Sequence, residues 1–515
     1  MTQPPSLWSR LVAAHRGADR IVLVLLLAPW LPALVFGCRA AAPQQAADAP
    51  SLPLHWPVAP APVIRPQAPL LWVALAAHLG PVPGRATSAQ DTLLLEAGSG
   101  LLRLRDAAGR ELSGPRLTIG WRSLRLPRPL RWQRRVAGPF PSYESAERAA
   151  QRWGVSGLEI AHPSDWEVWA PLDRPLPKSL ATRLEQASVS QHWQPQLQVD
   201  GHAVPLTGPL QIEAPGGMRW QGGLHRGPFR LQADALGRWT LVEQVPLERY
   251  LEGVLPHEIG ADAPAQALEA QAVLARTWAL RNQHRFQVDG YHLCADTQCQ
   301  VYGDPRQAGP AVREAIRRTR SQVLTWNGRP IQAVYHATNG GIAAGFEEAW
   351  GGEPLPYLRA SADGPAPFGR RFAVPLQPPA RLRSLLADGN GAYGADHPRF
   401  RWRRWLQARR LLVLERGPSG RVLSLAVEAV GAPRLVLQRD AIRRRFPQLP
   451  STLFEPIWEG GDRWRLEGGG FGHGVGLSQA GALDLARRGW SVSRILEHYY
   501  PGTVLMPLGS LAGDP

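Results

Sequence analysis

The sequence predicts an α+β fold, with a mixed β-sheet core and helices lining a cleft, and three observations support this prediction. Short apolar or alternating runs, separated by Gly, Pro and Asp, begin near residue 70 and have the pattern of β-strands. Helical periodicity is concentrated after Pro246. An apolar N-terminal run and a Pro/Ala-rich stretch precede both, so we expect the folded part to begin well inside the chain.

The composition favours a globular protein with an anionic partner. The chain has 515 residues, of which 44% are hydrophobic and 19% charged, so we expect two or three folded domains. The net charge is +16, and nearly all positive charge comes from arginine, since the only lysine is Lys178. Such basicity favours nucleic acid, an anionic membrane surface or an acidic polymer, although genome composition also produces an arginine bias. The arginines are scattered and no nucleic-acid-binding motif is present, so we expect no nucleic-acid partner.

The N-terminus has the pattern of an export signal. Three arginines precede the apolar run at 21–37, IVLVLLLAPWLPALVFG, which predicts a signal peptide or membrane anchor over residues 1–39. We therefore expect an exported protein of the cell envelope or periplasm that contacts the membrane through this segment. The dipeptide Gly37-Cys38 resembles a lipoprotein cleavage site, so lipidation of Cys38 is a further hypothesis.

A spacer and a β-rich region follow. Residues 40–69 are rich in Ala and Pro and predict a semi-extended spacer that does not pack. Residues 70–204 predict a mostly β region. Within it, PSYESAERAAQRWG at 141–154 predicts one helix with Ser142 or Ser145 as its N-cap.

The second half of the chain predicts the helical part of the fold. LERYLEGVLPHEIG at 247–260 places apolar residues on one helical face, and residues 263–285 have the most apolar helix pattern in the chain. The Asn-Gly dipeptide at 327–328 predicts a type I′ hairpin turn. Residues 468–489, GGGFGHGVGLSQAGALDLARRG, combine a Gly-rich loop with an amphipathic helix, and Ser478 is a suitable N-cap for that helix.

Glu258 is the first candidate catalytic residue. It lies between the end of one predicted helix and the start of the very apolar one. A carboxyl group in apolar surroundings holds its proton more tightly, because desolvation disfavours the charged form, and a raised pKa suits a general acid near neutral pH. The alternative is a solvated loop glutamate or a capping group, and position alone favours that alternative because most glutamates are exposed.

A second cluster contains His292, Cys294 and Cys299. Thiolate and imidazole ligands favour zinc, but the spacing of the two cysteines is at the edge of usual metal spacing and no fourth ligand is evident nearby. A local disulfide, expected in an exported protein, and two reduced buried cysteines are the alternatives. The residues alone leave all three open.

Two glycine-containing segments carry polar side chains. After Tyr335 and His336, the sequence TNGG at 338–341 predicts a sharp turn, which either lines a cleft or is a plain β-turn. In the C-terminal loop, glycines surround His473 and would let the main chain approach a ligand closely. A Gly-rich turn into a helix can bind an anion, but this loop matches neither a dinucleotide fingerprint nor a P-loop.

In their order along the chain, these segments resemble the SpoIID/LytB family of bacterial sporulation and cell-wall proteins. The resemblance rests on VPLERYLEGVLPHEIG, PAQALEAQAVLARTWAL, CQVYGD, AVYHATNGG, EEAWGG and the C-terminal loop with ILEHYYPGT. It predicts a SpoIID/LytB core over residues 205–506. The cleft is then expected to bind glycan.

The resemblance implies an activity and a set of site residues. SpoIID-type members are lytic transglycosylases, which implies that Glu258 cleaves MurNAc–GlcNAc bonds of denuded peptidoglycan and leaves 1,6-anhydroMurNAc ends. No cofactor is required, but some members bind structural zinc at cysteines matching Cys294 and Cys299, with His292 as a candidate third ligand. Gln298 stands where a histidine often precedes the second cysteine. The candidate glycan contacts are Tyr302, His336, Asn339, Trp350, His473, Gln479 and Tyr500.

The family also implies an alternative function and further partners. LytB-type members are described as modifiers of an amidase, so a non-catalytic peptidoglycan-binding protein is the alternative. Residues 138–172 weakly resemble a SPOR-type module that binds denuded glycan, although an elaboration without binding fits them as well. The expected partners are peptidoglycan glycan strands and a cell-wall amidase.

Overall fold

The computed structural model describes residues 52–81, 92–199, 201–363, 401–429 and 431–511. The predicted signal or anchor segment, with Cys38, lies outside these residues, as does the predicted spacer up to residue 51. The described elements are mixed sheets and helices, which confirms the α+β class. Within these ranges, no helix is long and apolar enough to cross a membrane.

Strands make up the first half of the fold. Buried and exposed residues alternate along several of them, as in LRLR at 102–105, because successive side chains point to opposite faces. The strands before residue 247 are β1 (Leu70–Leu79), β2 (Leu93–Ala97), β3 (Leu102–Arg105), β4 (Glu111–Gly114), β5 (Arg116–Phe140), β6 (Glu159–Ala161), β7 (Trp166–Ala170), β8 (Thr182–Val199), β9 (His202–Pro205), β10 (Leu210–Glu213), β11 (Met218–Trp220), β12 (Gly223–His225), β13 (Phe229–Ala233) and β14 (Trp239–Pro246).

These strands form two large sheets. The first has the order β15–β1–β14–β13–β10–β3–β4, where β15 is Leu293–Cys294. The second has the order β12–β11–β2–β5–β7–β6, and β8 and β9 extend it from β5. Because β1 pairs with β14 and β2 with β11, both sheets contain strands from either side of residue 204. The predicted division at residue 204 is therefore not a boundary in the fold, and the described residues from Leu52 onward belong to one compact unit.

A helix connects the long strand β5 to β6. This helix, α1 (Tyr143–Trp153), begins at Ser142, whose hydroxyl accepts a hydrogen bond from the Ser145 amide, and ends at Gly154 in the left-handed conformation. The predicted cap Ser142 is thus confirmed. Both β5 and β6 run antiparallel to β7, which lies between them, so the predicted SPOR-like segment is a β–α–β crossover. Its binding of glycan stays a prediction.

The second half of the predicted spacer packs against the folded body. Ile64 is buried in the main core, and the Trp56 amide donates to the Ala235 carbonyl at 3.0 Å. The prediction of an unpacked spacer over residues 40–69 is therefore wrong for its described part. Prolines keep this stretch extended, and an extended chain can still lay its few apolar side chains against a core.

Helices form the core of the second half of the fold. The apolar helix α3 is buried along most of its length and is surrounded by α2, α4, α7 and α8. Leu268, Val273 and Leu274 of α3 are fully buried, and each such side chain stabilises the fold by roughly 1.5–3 kcal/mol. The predicted cap Ser478 is confirmed, since its hydroxyl accepts from the Gly481 amide at 3.2 Å. The helices are α2 (Leu247–Glu258), α3 (Ala265–Arg281), α4 (Pro310–Arg318), α5 (Phe346–Trp350), α6 (Asp440–Arg445), α7 (Gln479–Arg487) and α8 (Val492–Tyr499).

Short strands and an arm complete the fold. The hairpin predicted at 327–328 is confirmed, with both turn residues at positive φ. The arm, residues 401–469, contains two three-stranded sheets with the orders β21–β26–β25 and β22–β23–β24. The remaining strands are β16 (Gln322–Trp326), β17 (Arg329–Pro330), β18 (Tyr335–His336), β19 (Ile342–Ala343), β20 (Ser361–Ala362), β21 (Arg401–Gln407), β22 (Arg410–Arg416), β23 (Val422–Glu428), β24 (Leu435–Gln438), β25 (Phe454–Trp458), β26 (Arg463–Gly469), β27 (Leu477–Ser478) and β28 (Val504–Pro507).

Candidate active site

Glu258 lies at the C-terminal end of α2, next to the chain segment 300–304. Glycines allow this segment to lie directly on the helix. A Cβ on Gly253 would come within 2.4 Å of the Tyr302 ring, so only glycine leaves room there. The Gly303 amide donates to the Gly253 carbonyl at 3.0 Å and fixes the approach. This packing brings the Val301 amide to the Glu258 carboxyl.

The Glu258 carboxyl is half-buried and accepts a hydrogen bond from the main chain, since the Val301 amide donates to Oε1 at 2.7 Å. Burial raises the pKa of Glu258 above its ordinary value. The Val301 hydrogen bond and the neighbouring Tyr335 hydroxyl favour the charged form and oppose that rise without cancelling it. Within the described part of the chain, Glu258 has no ion-pair partner. The group therefore has the surroundings of an acid that can also act as a base.

A buried chain of hydrogen bonds holds Tyr335 in place. The Tyr250 hydroxyl donates to Gln300 Oε1 at 3.1 Å, and Gln300 Nε2 donates to the Tyr335 oxygen at 2.9 Å. Because the Tyr335 oxygen accepts that bond, the hydroxyl proton is left to interact with the neighbouring Glu258 carboxyl. Burial and the nearby charge of Glu258 raise the pKa of Tyr335 well above its ordinary value, so it stays protonated. Sequence reasoning missed these supporting residues, which we call the tyrosine–glutamine chain.

His336 lies on the face of β18 opposite to the Tyr335 side chain, as expected for neighbours in a strand. Its Nδ1 donates to the Val475 carbonyl at 3.1 Å. Its Nε2 is buried and has no hydrogen-bond partner among the described residues. Burial lowers the pKa of His336 well below its ordinary value, so the ring is neutral and this nitrogen is an acceptor. Its predicted contact with glycan stays a prediction.

His473 is held by the main chain on both sides of its ring. Its Nε2 donates to the Tyr335 carbonyl at 3.0 Å, and its Nδ1 accepts from the Val475 amide at 3.1 Å. Burial, together with the charges of Arg443 and Arg421, lowers the pKa of His473 to about 3, so the ring is neutral. Both ring nitrogens are used within the protein, and the predicted contact of His473 with sugar stays a prediction.

The glycines of the C-terminal loop are required by the protein's own chain. Every second residue from Gly470 to Gly476 has a positive φ, with values from 72° to 116°. A Cβ on Gly476 would lie 2.0 Å from the Val334 oxygen, and one on Gly472 would lie 2.7 Å from the His336 Cβ. The expectation that bare backbone makes room for a sugar chain is therefore wrong, because these positions face β18 and its neighbours.

Three other predicted contacts are buried. Tyr302 is 4% exposed, and its hydroxyl donates to Glu243 at 2.9 Å. Asn339 is fully buried and its Nδ2 donates to Asp363 at 2.6 Å. Tyr500 is also fully buried, and its hydroxyl bonds two main-chain groups. These three side chains are buried and bonded within the protein, and the sugar-binding roles predicted for them stay predictions.

Trp350 and Gln479 keep surface for a ligand. Trp350 ends α5, is half-buried and packs against the His473 ring with 4.9 Å between centroids. Gln479 begins α7 and is half-buried, but its Nε2 atom is buried and has no hydrogen-bond partner among the described residues. The aromatic surface of Trp350 and the exposed part of the Gln479 side chain are groups that sugar binding uses. Their contact with glycan stays a prediction.

Residues of the arm fix the turn that follows β18. Arg421 is 1% exposed and donates to the carbonyls of Asn339 and Ile342 at 2.8 and 2.9 Å. Glu348 accepts from the Ser419 amide and hydroxyl at 3.0 and 2.7 Å. Burial lowers the pKa of Arg421 to about 10, and the charge of Glu348 partly opposes this shift. Sequence reasoning missed this contact, because its partners are distant in the chain and no motif joins them.

Cys294 and Cys299 form a disulfide, which is one of the three alternatives the sequence left open. The His292 ring is engaged elsewhere, since Nδ1 accepts from the Trp72 amide and Nε2 donates to the Pro62 carbonyl, each at 2.9 Å. The ranges that the structure describes contain no group of three or more His, Cys, Asp or Glu side chains that could hold a metal ion. As arranged, these residues do not fit a zinc site.

We expect the purified protein to contain the Cys294–Cys299 disulfide and much less than one equivalent of zinc. Each sulfur is bonded to the other, so neither is available as the thiolate that zinc requires. Peptide mass spectrometry without reduction, together with metal analysis, checks both statements, with Cys294→Ser/Cys299→Ser as the control. Zinc in equimolar amount with free thiols would instead support the structural metal that the family resemblance implies.

Two family models match the chain. The model described as stage II sporulation protein matches residues 235–326, which include Glu258 and the segment 300–304. A second model, a domain of unknown function (DUF8618), matches residues 405–476, which include most of the arm and Arg421.

Curated relatives match over a longer part of the chain. Stage II sporulation protein D of Bacillus subtilis (strain 168) is 29% identical over 285 residues, covering 51% of this chain and 75% of the relative. Stage II sporulation protein D of Bacillus amyloliquefaciens is 30% identical over 290 residues, covering 51% of this chain and 74% of the relative. The amidase enhancer of Bacillus subtilis (strain 168) is 27% identical over 292 residues, covering 50% of this chain and 40% of the relative. This protein therefore belongs to the stage II sporulation protein D family.

Proposed function

We propose that this protein is a cell-wall enzyme, a lytic transglycosylase that cleaves MurNAc–GlcNAc bonds of denuded peptidoglycan. The observation that supports the proposal is the environment of Glu258. Its carboxyl is half-buried, its pKa is raised, and it accepts a hydrogen bond from the Val301 amide beside the Tyr335 hydroxyl. A raised pKa keeps a useful fraction of the group protonated, which the first step requires.

The reaction needs one carboxyl that changes role. The protonated Glu258 gives its proton to the glycosidic oxygen as the bond from the MurNAc anomeric carbon breaks, and the GlcNAc hydroxyl leaves. The resulting carboxylate takes the proton of the MurNAc 6-hydroxyl while that oxygen bonds to the anomeric carbon and forms the 1,6-anhydro ring. Glu258 ends protonated as it began, and no water is consumed. The hydrogen bond from the Val301 amide and the neighbouring Tyr335 hydroxyl stabilise the carboxylate between the two proton transfers.

A single carboxyl is consistent with the surroundings of Glu258. Glycosidases that use water need a second carboxylate at a set distance, either as base or as nucleophile. The described residues place no other charged group against Glu258. An internal hydroxyl as nucleophile makes the second carboxylate unnecessary, and no metal or cofactor enters the scheme.

Amidase-treated peptidoglycan is the substrate that tests the proposal. The protein is incubated with it, and released fragments are analysed by mass spectrometry for 1,6-anhydroMurNAc ends. Anhydro ends that accumulate with time are expected. Their absence, with a protein shown to be folded, would reject the enzymatic proposal.

A second candidate is a non-catalytic modifier of a cell-wall amidase, and the relative named amidase enhancer favours it. Intact peptidoglycan, which still carries its stem peptides, distinguishes the two functions when a peptidoglycan amidase is added and release of stem peptides is measured. Faster amidase release without anhydro ends supports the modifier, and Glu258→Gln would then leave the stimulation intact. Export to the envelope and anchoring at the membrane belong to the same proposal.

We expect Tyr335→Phe to lower turnover about 10- to 100-fold and to change its pH dependence. The substitution removes the hydroxyl that favours the charged carboxyl, and a hydrogen bond from such a hydroxyl to a charged group contributes about 1.5–3 kcal/mol. That bond favours the ionised carboxyl, so its loss raises the pKa of Glu258 further, and the loss of activity at alkaline pH should begin at higher pH. A pH–rate profile of anhydro product formation checks this. A purely structural role for Tyr335 would lower the rate equally at every pH.

A further inference from the structure

An exposed arginine ribbon projects from the second sheet. Its strands are residues 121–131 of β5 and 188–194 of β8, paired antiparallel. Arg122, Arg125, Arg128 and Arg131 are all exposed. Neither strand segment contains Asp or Glu, and within the described part of the chain none of the four arginines forms an ion pair. The arginine ribbon is therefore a concentrated positive surface that the protein itself does not neutralise.

The ribbon also carries apolar groups among the arginines. The pairing with β8 is interrupted between Arg125 and Leu130, where LPRP bulges out of the ladder. Leu124 is 36% exposed, and the two prolines of the bulge are exposed as well. Arginines alternating with exposed apolar side chains match a lipid interface, where headgroups meet acyl chains.

The first described residues of the chain lie against β5 and β8 at and beside this ribbon. The Leu54 carbonyl accepts from Arg134 of β5 at 2.9 Å, and the Trp56 ring stacks on His192 of β8 with 5.5 Å between centroids. The predicted membrane segment ends at residue 39, and residues 40–51 can span at most about 40 Å whatever their conformation. An anchored chain would thus keep the ribbon near the bilayer.

We propose that the arginine ribbon docks on the anionic lipid surface of the membrane to which the N-terminal segment is attached. Contact with headgroups at this point would orient the body on the membrane, in addition to tethering it. Each arginine close to an anionic bilayer strengthens binding several-fold, so four together account for an effect on the order of 100-fold or more. The proposal rests on the membrane anchoring proposed above and is independent of catalysis by Glu258.

The test uses the full chain reconstituted in nanodiscs. One set contains phosphatidylcholine only, and the other also contains phosphatidylglycerol. Arginines are modified with phenylglyoxal and the rate at each position is measured by peptide mass spectrometry. We expect the ribbon arginines to react several-fold more slowly in anionic nanodiscs, and high salt to remove this protection. The internal controls are exposed arginines elsewhere: Arg103, Arg320, Arg329 and Arg487.

A variant measures the strength of the contact. A protease site placed between Gln45 and Ala46 releases the body from its tether after reconstitution. At low salt the wild-type body should stay on anionic nanodiscs, whereas Arg122→Gln/Arg125→Gln/Arg128→Gln/Arg131→Gln should bind about 100-fold more weakly. The control removes the same charge elsewhere: Arg103→Gln/Arg320→Gln/Arg329→Gln/Arg487→Gln.

Three results would overturn the proposal. The first is equal modification of the ribbon arginines in both kinds of nanodisc. The second is equal release of the ribbon variant and its charge-matched control from anionic nanodiscs. The third is protection of the ribbon by amidase-treated peptidoglycan in phosphatidylcholine nanodiscs, which would assign the arginines to an acidic wall polymer.

Discussion

Glu258→Gln should lower the formation of 1,6-anhydroMurNAc ends by about 10³- to 10⁴-fold. The amide cannot give a proton to the glycosidic oxygen or take one from the 6-hydroxyl, and each such proton transfer accounts for about 10²- to 10⁴-fold of an enzymatic rate. Single-turnover assays on amidase-treated peptidoglycan, with products counted by mass spectrometry, measure the loss.

The matched control for this experiment is Glu252→Gln. Glu252 lies on the same helix and is also half-buried, but it does not contact the tyrosine–glutamine chain. It should keep wild-type turnover. Equal anhydro product from Glu258→Gln and Glu252→Gln would reject Glu258 as the acid and base, whatever the protein's binding to peptidoglycan.

The raised pKa of Glu258 also predicts how the Glu258→Gln substitution affects the stability of the fold. The folded state binds the Glu258 proton more tightly than the unfolded state does, so ionisation above the folded pKa favours unfolding. A glutamine at this position is neutral at every pH and avoids that cost. The melting temperature of Glu258→Gln near neutral pH should therefore be no lower than that of the wild type, which separates lost chemistry from lost folding.

Activity should fall as pH rises through the raised pKa of Glu258, because the first step needs the protonated carboxyl. The donors Val301 and Tyr335 oppose the rise in pKa and set how far it extends. In the proposed mechanism, Glu258 must be an acid strong enough to protonate the leaving oxygen, and its carboxylate must be stable enough to act as the base.

Apolar periodicity and local turn residues predicted the parts of the fold that depend on neighbouring residues in the chain. The helices around Glu258, the caps Ser142 and Ser478, and the hairpin at 327–328 follow from apolar spacing and local turn chemistry. The predicted location of Glu258 between two helices was also confirmed. These features depend on residues close together in the chain.

The partners of Glu258 could not be predicted in the same way. The Val301 donor is a main-chain amide, which any residue type supplies. Tyr335 and His336 point to opposite faces of β18, so only one of them can face Glu258. The sequence does not show which one, because a two-residue strand is too short for an alternating pattern. The motif predicted that β18 matters, but only the fold shows that its tyrosine faces the carboxyl.

The loop glycines illustrate a different limit. Dense glycine indicates close approach of something to the backbone, and sequence does not say what. Here it is β18 and the Arg421 guanidinium, since a Cβ on Gly474 would lie 2.2 Å from an Arg421 nitrogen. The loop, β18 and the arm are therefore one packed unit that supports the residue holding Glu258.

Arg421→Met should destabilise the protein by about 3–5 kcal/mol. The methionine keeps an apolar stem of similar length but leaves the Asn339 and Ile342 carbonyls unpaired, and it leaves Glu348 without its nearby cation. Removing one member of a buried charged network costs this much because the remaining groups stay desolvated. Chemical denaturation followed by tryptophan fluorescence measures the change in the free energy of unfolding.

The control for Arg421→Met is Arg410→Met, in the same arm but exposed, for which we expect a change within about 0.5 kcal/mol. Arg421→Met should also lower turnover at temperatures where it remains folded, because the turn at Asn339 follows directly on the strand that carries Tyr335. A variant that loses stability but keeps wild-type turnover would show that the arm stabilises the fold without positioning Tyr335. Loss of both would place the arm among the elements that set the geometry of Glu258, although it does not touch that residue.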